Sequence, residues 1–162
     1  MAIIEKLDAK ELLEASKFAQ SVMNSTYSYN KNCRMSNSKG FSPNKLRESM
    51  KHGELFVAKD DSGKIIGFAD YYPSLLYPAK AGVGYLNWVF VDKSYRRKGL
   101  GAALTKRLFD SAKNHGQHAV WTEILASNYK SIRLSKKMGF KKVGLFKKAW
   151  YKQDYYILYK KL

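Results

Sequence analysis

The sequence contains a single cysteine, Cys33, and three prolines in 162 residues. A lone cysteine forms no internal disulfide and has no second thiolate with which to share a metal. A disulfide scaffold and a cysteine metal cluster are therefore excluded, and a reducing, cytoplasmic setting is expected. His52, His115 and His118 lack metal-ligand spacing; two of them flank Gly116 and read as surface residues, so no metal is expected. No run of 18 apolar residues exists, and Glu5 and Lys6 already place charge in the first eight residues. Neither a membrane span nor a secretory signal is read, and no membrane partner is expected. Internal repeats, low-complexity tracts and linkers are also absent. The length suits one domain over residues 1–162 with a single sizeable core.

Acidic residues are scarce as well, 13 against 30 basic ones, which leaves a net charge of +17. Of the cations 24 are Lys and 6 Arg, a balance that favours a solvated basic surface over bidentate phosphate clamps. From Ser127 to Leu162, ten Lys and one Arg stand against Asp154 alone. Such a surface steers polyanions, or does no more than keep the chain soluble. A nucleic-acid-binding module is the less favoured reading of the basic C-terminal third with its interleaved Tyr and Trp; salt-dependent binding to RNA or DNA would distinguish it.

Against these absences stands one informative stretch, Leu86 to Ala112. Leu86, Trp88, Val89, Phe90 and Val91 are apolar and rich in β-branched and aromatic types, which predicts a strand ending at Asp92. From Gly101 onward, Leu100, Leu104 and Leu108 recur every four residues beside Ala103 and Ala112, the stripe of an amphipathic helix. Between them lies a basic turn whose Gly99 and Gly101 leave backbone amides uncovered at the helix start. Unpaired N–H groups and the helix dipole favour an anion there, so a phosphate-bearing ligand is implied.

The remaining elements follow in order. Ala2 to Leu7 reads as a strand, Asp8 and Glu11 as a capping box, and Leu12, Ala15, Phe18, Ala19 and Val22 as one face of a helix reaching about Met23. Asn24 to Phe41 is polar and reads as a long loop. Ser42 and Pro43 start a short helix running to His52. Glu54 to Lys59 and Lys64 to Tyr72 form a hairpin across Asp60 to Gly63, and Pro73 to Val83 connects it to the central strand. After the central helix, His118 to Leu125 is a strand; the intervening crossover predicts a parallel pair with Leu86 to Val91. Asn128 opens a last helix with Ile132, Ser135 and Met138 inward and Gly139 as its stop. Phe140 to Phe146 and Asp154 to Leu162 are the final strands.

Arg96, two residues, Gly99, one residue, Gly101 and then Ala102 fits neither a Walker loop nor a dinucleotide fingerprint. It resembles the Arg/Gln-x-x-Gly-x-Gly/Ala signature of the GNAT superfamily of N-acetyltransferases. A second motif agrees: Asn128, Ser131, Ile132, Leu134, Lys137, Gly139 and Phe140 resemble that superfamily's Asn-x-x-Ala/Ser-Ile-x-Leu helix and Lys-x-Gly-Phe exit. The resemblance implies an α+β, three-layer GNAT fold: a mixed, mostly antiparallel seven-stranded sheet with one parallel splayed pair, flanked by four helices. It covers residues 54 to 162, and before Glu54 it rests on element order.

The resemblance also implies roles. Acetyl-CoA is the expected cosubstrate, with its pyrophosphate on the amides of Lys98, Gly99, Leu100, Gly101 and Ala102 beside Arg96 and Arg97. Its pantetheine arm would lie along the backbone of Phe90 and Val91, with Asn128 and Ser131 on the other wall. An amine attacks a thioester only when neutral, so a carboxylate must take its proton. Glu123 precedes Asn128 by five residues, as the base does in the ribosomal-protein alanine acetyltransferase branch, and burial beside Trp121 would raise its pKa. Many members protonate the departing thiolate with a Tyr seven residues after the motif Asn; here Ser135 stands there, leaving Ser135, Tyr129, Tyr151 or water for that role. The acceptor is expected to be the primary amine of a small molecule or of a peptide N-terminus. The Val143-Gly144 pair and the Trp150 to Asp154 tail look like the phosphinothricin branch, and Tyr72, Tyr77, Trp150 and Tyr151 are candidate pocket walls. A non-catalytic acetyl-CoA sensor remains an alternative, and a homodimer through the last aromatic strand remains open.

Overall fold

In the computed structural model of the chain, residues 2–25, 40–73 and 82–162 are described, with Tyr151 by its backbone only. Most of the expected loop over residues 24–41, together with Cys33, Tyr77 and Pro78, lies outside them.

Local chemistry sets each element. Asp8 accepts from the amide of Lys10 at 2.9 Å and Glu11 reaches back to the amide of Asp8 at 3.2 Å, so the capping box forms as expected. It leads through a 3-10 turn into α1, Leu12–Ser25, which buries Leu12, Ala15, Ala19, Val22 and Met23. Ser42 caps α2, Pro43–His52, from outside the first turn and Pro43 sits inside it, where its missing N–H costs nothing. The long helix α3, Leu100–Asn114, buries Leu100, Leu104, Leu108 and Ala112, the stripe legible in the sequence. A shorter helix, α4, Tyr129–Lys137, buries no residue fully. No helix among the described residues is long and apolar enough to cross a membrane.

Seven strands make one sheet: β1 (Ile3–Lys6), β2 (Glu54–Lys59), β3 (Ile65–Tyr72), β4 (Val83–Val91), β5 (Ala119–Leu125), β6 (Lys141–Phe146) and β7 (Tyr155–Lys161). Their order is β1-β2-β3-β4-β5-β7-β6, and all neighbours are antiparallel except β4 and β5. Every residue of β3 is buried, because helices cover both faces of the sheet there. On the α1/α2 face, Leu12, Ala19, Leu46, Leu55, Val57 and Phe68 pack together, with the Phe41 ring edge-on to Phe68 and Phe90. On the α3 face, Phe56, Ile66, Tyr71, Leu86, Leu104, Leu108 and Val120 form the second cluster.

The observed β4 begins at Val83, three residues before the expected start. The cause is Gly84, which has no side chain to signal a strand. A Cβ there would meet the Tyr71 ring at 2.4 Å, so the close approach of that ring admits only glycine. The expected parallel pairing of Leu86 to Val91 with residues 118–125 is corrected. The pairing joins only Val83 to Ala119, Gly84 to Val120 and Tyr85 to Trp121, after which the strands part. Pairing stops because β4 carries an extra residue: Ala69 faces Val89 while Tyr71 faces Leu86, which places a bulge at Asn87–Trp88.

Leu104 is fully buried at the centre of the α3 cluster. Truncation to Ala should cost about 2–5 kcal/mol, read as a lowered urea midpoint at unchanged slope.

Candidate active site

The basic turn is held from below. Asp92 accepts from the amide of Ser94 at 2.8 Å and so caps the 3-10 turn Lys93–Tyr95, while the Tyr95 hydroxyl donates to Asp60 at 2.8 Å. Arg96 Nε donates to the Val91 carbonyl at 3.0 Å, which ties the turn to the end of β4. Arg97 and Gly99 take positive φ, 67° and 84°, and bend the chain back into α3. No side chain caps this helix; the first helical bond runs from Ala103 N–H to the Gly99 carbonyl. The amides of Leu100, Gly101 and Ala102 are therefore left without a helical partner. Lys98 lies over the Tyr95 ring, 5.4 Å from its centroid, at the rim of this cradle.

Helix α4 closes beside it. A Cβ on Gly101 would meet Leu134 at 3.3 Å and Val91 at 3.8 Å, so Gly101 lets the two helices and β4 approach one another. The Asn128 side chain accepts from Ser131 N–H at 3.2 Å and caps α4. Ser131 and Ser135 are half-buried, whereas Tyr129 is 75% exposed.

Backbone alternation decides which groups of β4 face that gap. Asp92 N–H donates to the Ile66 carbonyl, so Asp92 and Phe90 turn their backbone groups towards β3, while Val89 and Val91 turn theirs towards the gap. Of the two residues expected to present backbone there, Val91 does and Phe90 does not; Val89 was not anticipated. Part of the Val91 carbonyl's capacity is taken by Arg96.

On the opposite face of the sheet sits Glu123. It is half-buried and accepts from Trp150 Nε1 at 2.9 Å. Burial pushes its carboxyl above the ordinary range, and hydrogen bonds from Trp150 and Tyr85 partly oppose that shift. The Tyr85 ring lies 4.6 Å from that of Trp121, tilted by 41°; Trp121 is the ring expected beside Glu123. The Tyr85 hydroxyl lies 3.2 Å from Asn87 Oδ1, which can accept its proton, and Asn87 Nδ2 donates to Asp70 at 3.0 Å. Asp70 also accepts from Trp88 N–H at 2.6 Å and from the Tyr72 hydroxyl at 3.1 Å. Beside this chain opens a cavity of about 560 Å³ lined by Lys45, Glu48, Ser49, His52, Tyr72, Tyr85 and Asn87. Tyr72 was expected there, and Trp150 stands on Glu123. Sequence reasoning missed Asp70, Tyr85, Asn87 and the α2 residues. The available signal was one acid in an otherwise apolar run, Ile65 to Tyr72. Among the described residues no group of three or more His, Cys, Asp or Glu could hold a metal.

A sheet parted between two parallel strands, an uncapped glycine turn on one face and a half-buried carboxylate on the other define an acyl-transfer type of domain. The family model described as Acetyltransferase (GNAT) family matches residues 20–140, and the chain belongs to that family. It is similar to the L-methionine sulfoximine/L-methionine sulfone acetyltransferase of Pseudomonas aeruginosa PAO1, 31% identical over 56% of this chain and 52% of that protein. It is also similar to the bS18 ribosomal protein-alanine N-acetyltransferase of Escherichia coli K12, 40% identical over 32% of this chain and 35% of that one. The matched stretches thus span about half, or less, of these curated relatives. The fold matches that of yncA from Salmonella typhimurium, solved with its cofactor acetyl-CoA, at a TM-score of 0.78 and 20% identity over 100% of this chain and 94% of that one.

Asp70 is 3% exposed, and burial pushes its carboxyl up to about 6 from 3.8. A carboxyl raised on folding binds its proton more tightly in the native state. The stability it contributes is present below pH 3.8 and lost as the pH rises through about 6. Relative to Asp70→Asn, the wild type should lose on the order of 2 kcal/mol between pH 4 and pH 7 in urea unfolding.

Proposed function

We infer that this chain, acting as one domain, is an acetyl-CoA-dependent N-acetyltransferase whose acceptor is the primary amine of a small amino compound or of a protein N-terminus. The observation that carries this reading is Glu123: a half-buried carboxylate with a raised pKa, beside the gap and across the sheet from the glycine turn. The two reactants would meet from opposite faces, coenzyme from the α3 side and amine from the α2 side.

The residues present fit acetyl-CoA. The unpartnered amides of Leu100, Gly101 and Ala102, with Arg96, Arg97 and Lys98 around them, suit a pyrophosphate, and the splayed backbone of Val89 and Val91 suits an amide-bearing arm. When bound, the coenzyme supplies the acetyl group as an activated thioester.

The chain's own residues do the rest. Glu123 takes the proton of the amine, directly or through water, and its raised pKa brings it closer to the operating range. The N–H groups of Val89 and Val91 face the gap, where they can donate to a carbonyl oxygen as charge develops on it. Tyr129 is 75% exposed and Ser135 half-buried, and a Ser135 hydroxyl could offer a thiolate a hydrogen bond rather than an acidic proton. A small acceptor with an anionic group is favoured by Lys45 in the cavity wall, where Glu48 is engaged with Lys51 and His52, and by the net charge of +17. The acetyltransferase of P. aeruginosa named above acts on substrates of this amino-acid type.

Thiol release from acetyl-CoA, measured over amino acids, polyamines, aminoglycosides and N-terminal peptides at pH 7 and pH 9, tests the reading. Turnover is expected with the amino-acid or peptide class, and Glu123→Gln should reduce kcat/KM by about 10²–10³-fold. Thermal stabilisation by acetyl-CoA with no turnover on any acceptor would favour a sensor instead. A second measurement addresses the turn: Gly99 holds φ 84°, so Gly99→Val should strain the backbone and weaken acetyl-CoA binding about tenfold or more by calorimetry.

A further inference from the structure

The chain from Asp70 to Glu123 has a directionality fixed by elementary donor and acceptor counting. An ionised carboxylate only accepts, so Asn87 must turn its Nδ2 towards Asp70, and its Oδ1 is thereby aimed at the Tyr85 hydroxyl. That hydroxyl has one proton and two acceptors within reach, Asn87 Oδ1 and the Glu123 carboxylate. Asp70 itself is buried and bound to three donors, one of them the Trp88 amide within the β4 bulge. The same carboxylate therefore fixes both the bulge that parts β4 from β5 and the amide that faces Tyr85.

We propose that Asp70, Asn87 and Tyr85 are positioning residues that govern Glu123. Asp70 locks the Asn87 amide, Asn87 offers the Tyr85 proton a second acceptor, and the Tyr85 hydroxyl turns with the charge on Glu123. Before reaction Tyr85 donates to the Glu123 carboxylate. Once Glu123 has taken the proton of the amine it is a carboxylic acid and becomes the donor; Tyr85 accepts from it and swings its own proton to Asn87 Oδ1. No proton leaves Tyr85 or Asn87, and the proton count on each side is unchanged. Without the second acceptor, Tyr85 would keep favouring the ionised carboxylate and oppose its protonation, which is the event the reaction requires.

Among the described residues, the other ionisable groups facing this chain include Tyr72 on β3, Lys45, Glu48 and His52 on α2, and Tyr155 and Tyr159 on β7, opposite Leu125 and Trp121. Glu48 is engaged with Lys51 at 2.8 Å and His52 at 3.5 Å on the helix itself. The inference rests on Glu123 as the base, so its test reads Glu123 without needing an acceptor.

Two N–H groups report the two carboxyls. The Trp150 indole N–H is bonded to Glu123 and the Trp88 amide N–H to Asp70. In a pH titration of the ¹⁵N-labelled protein followed by NMR, the midpoint of the Trp150 indole signal should rise by about one pH unit in Tyr85→Phe, which removes a donor to the carboxylate. It should fall by about the same amount in Asn87→Ala, where the Tyr85 proton is left to Glu123, and in Asp70→Asn, where Asn87 is free to flip and a buried charge is gone. The Trp88 amide midpoint, which reports Asp70, should rise in Asn87→Ala, because that carboxylate loses one of its three donors; this covers the case in which Asp70→Asn does not fold. A Trp150 midpoint unchanged to within about 0.2 pH unit in every variant with a native spectrum would overturn the proposal. Glu123→Gln should abolish the Trp150 titration. Full acetyl transfer by that variant would overturn the reading of Glu123 as base, independently of whether the midpoints move.

Discussion

The bond from the Trp88 amide to the Asp70 carboxylate, 2.6 Å long inside the β4 bulge, is the constraint on which the rest of the site depends. An extra residue in a strand leaves an amide without a ladder partner, and burying it unpaired would cost several times what an ordinary hydrogen bond contributes. Asp70 removes that cost and makes the bulge a defined feature of the sheet. Because of the bulge, β4 pairs with β5 for three residues only, and everything beyond Tyr85 is free to diverge. The gap, its backbone N–H groups and the separation of the two reactant faces all follow from that divergence.

The two faces of the sheet then acquire different chemistry. On the α3 face the apolar cluster runs up to a helix whose first turn lacks a cap, in a basic surround. On the α1/α2 face the aromatic packing of Phe41, Phe68, Trp88 and Phe90 gives way to hydroxyls, an amide and two carboxyls. Under the proposed function neither face alone would carry out a transfer, since one would neutralise the charge of an anion and the other would accept a proton. The parted strands are the only place in the described structure where both are within reach.

Much of this was legible in the sequence, and the boundary of what was legible is physical. The stripe Leu100, Leu104, Leu108, Ala112 and the capping chemistry of Asp8, Ser42 and Asn128 are local, so they read correctly from neighbours in the chain. The glycine turn was legible because positive φ at Gly99 is a property of that residue. Glu123 was singled out by its resemblance to a base position five residues before the motif Asn, and in the structure it accepts from Trp150. The bulge was not legible: it depends on register between residues almost twenty positions apart, and Gly84 is required by the Tyr71 ring on another strand. The polarity of β4 backbone groups, which turns Val89 rather than Phe90 into the gap, is likewise set by the neighbouring strand.

The position of β7 carries a consequence for how the molecule assembles. Residues 155–161 lie between β5 and β6, pairing with all seven residues of one and most of the other. Until they are seated, β6 has no strand to join, β5 is an open edge, and Trp150 has no fixed route to Glu123. β6 and β7 pair locally as a hairpin, whereas β5 and β7 pair across about 30 to 42 residues, so the second pairing must overcome the larger loop entropy. The contact of Trp150 with Glu123 therefore exists only once the β5–β7 pairing has formed. A chain stalled before that step would hold the glycine turn and α3 beside a β5 edge still without its β7 partner.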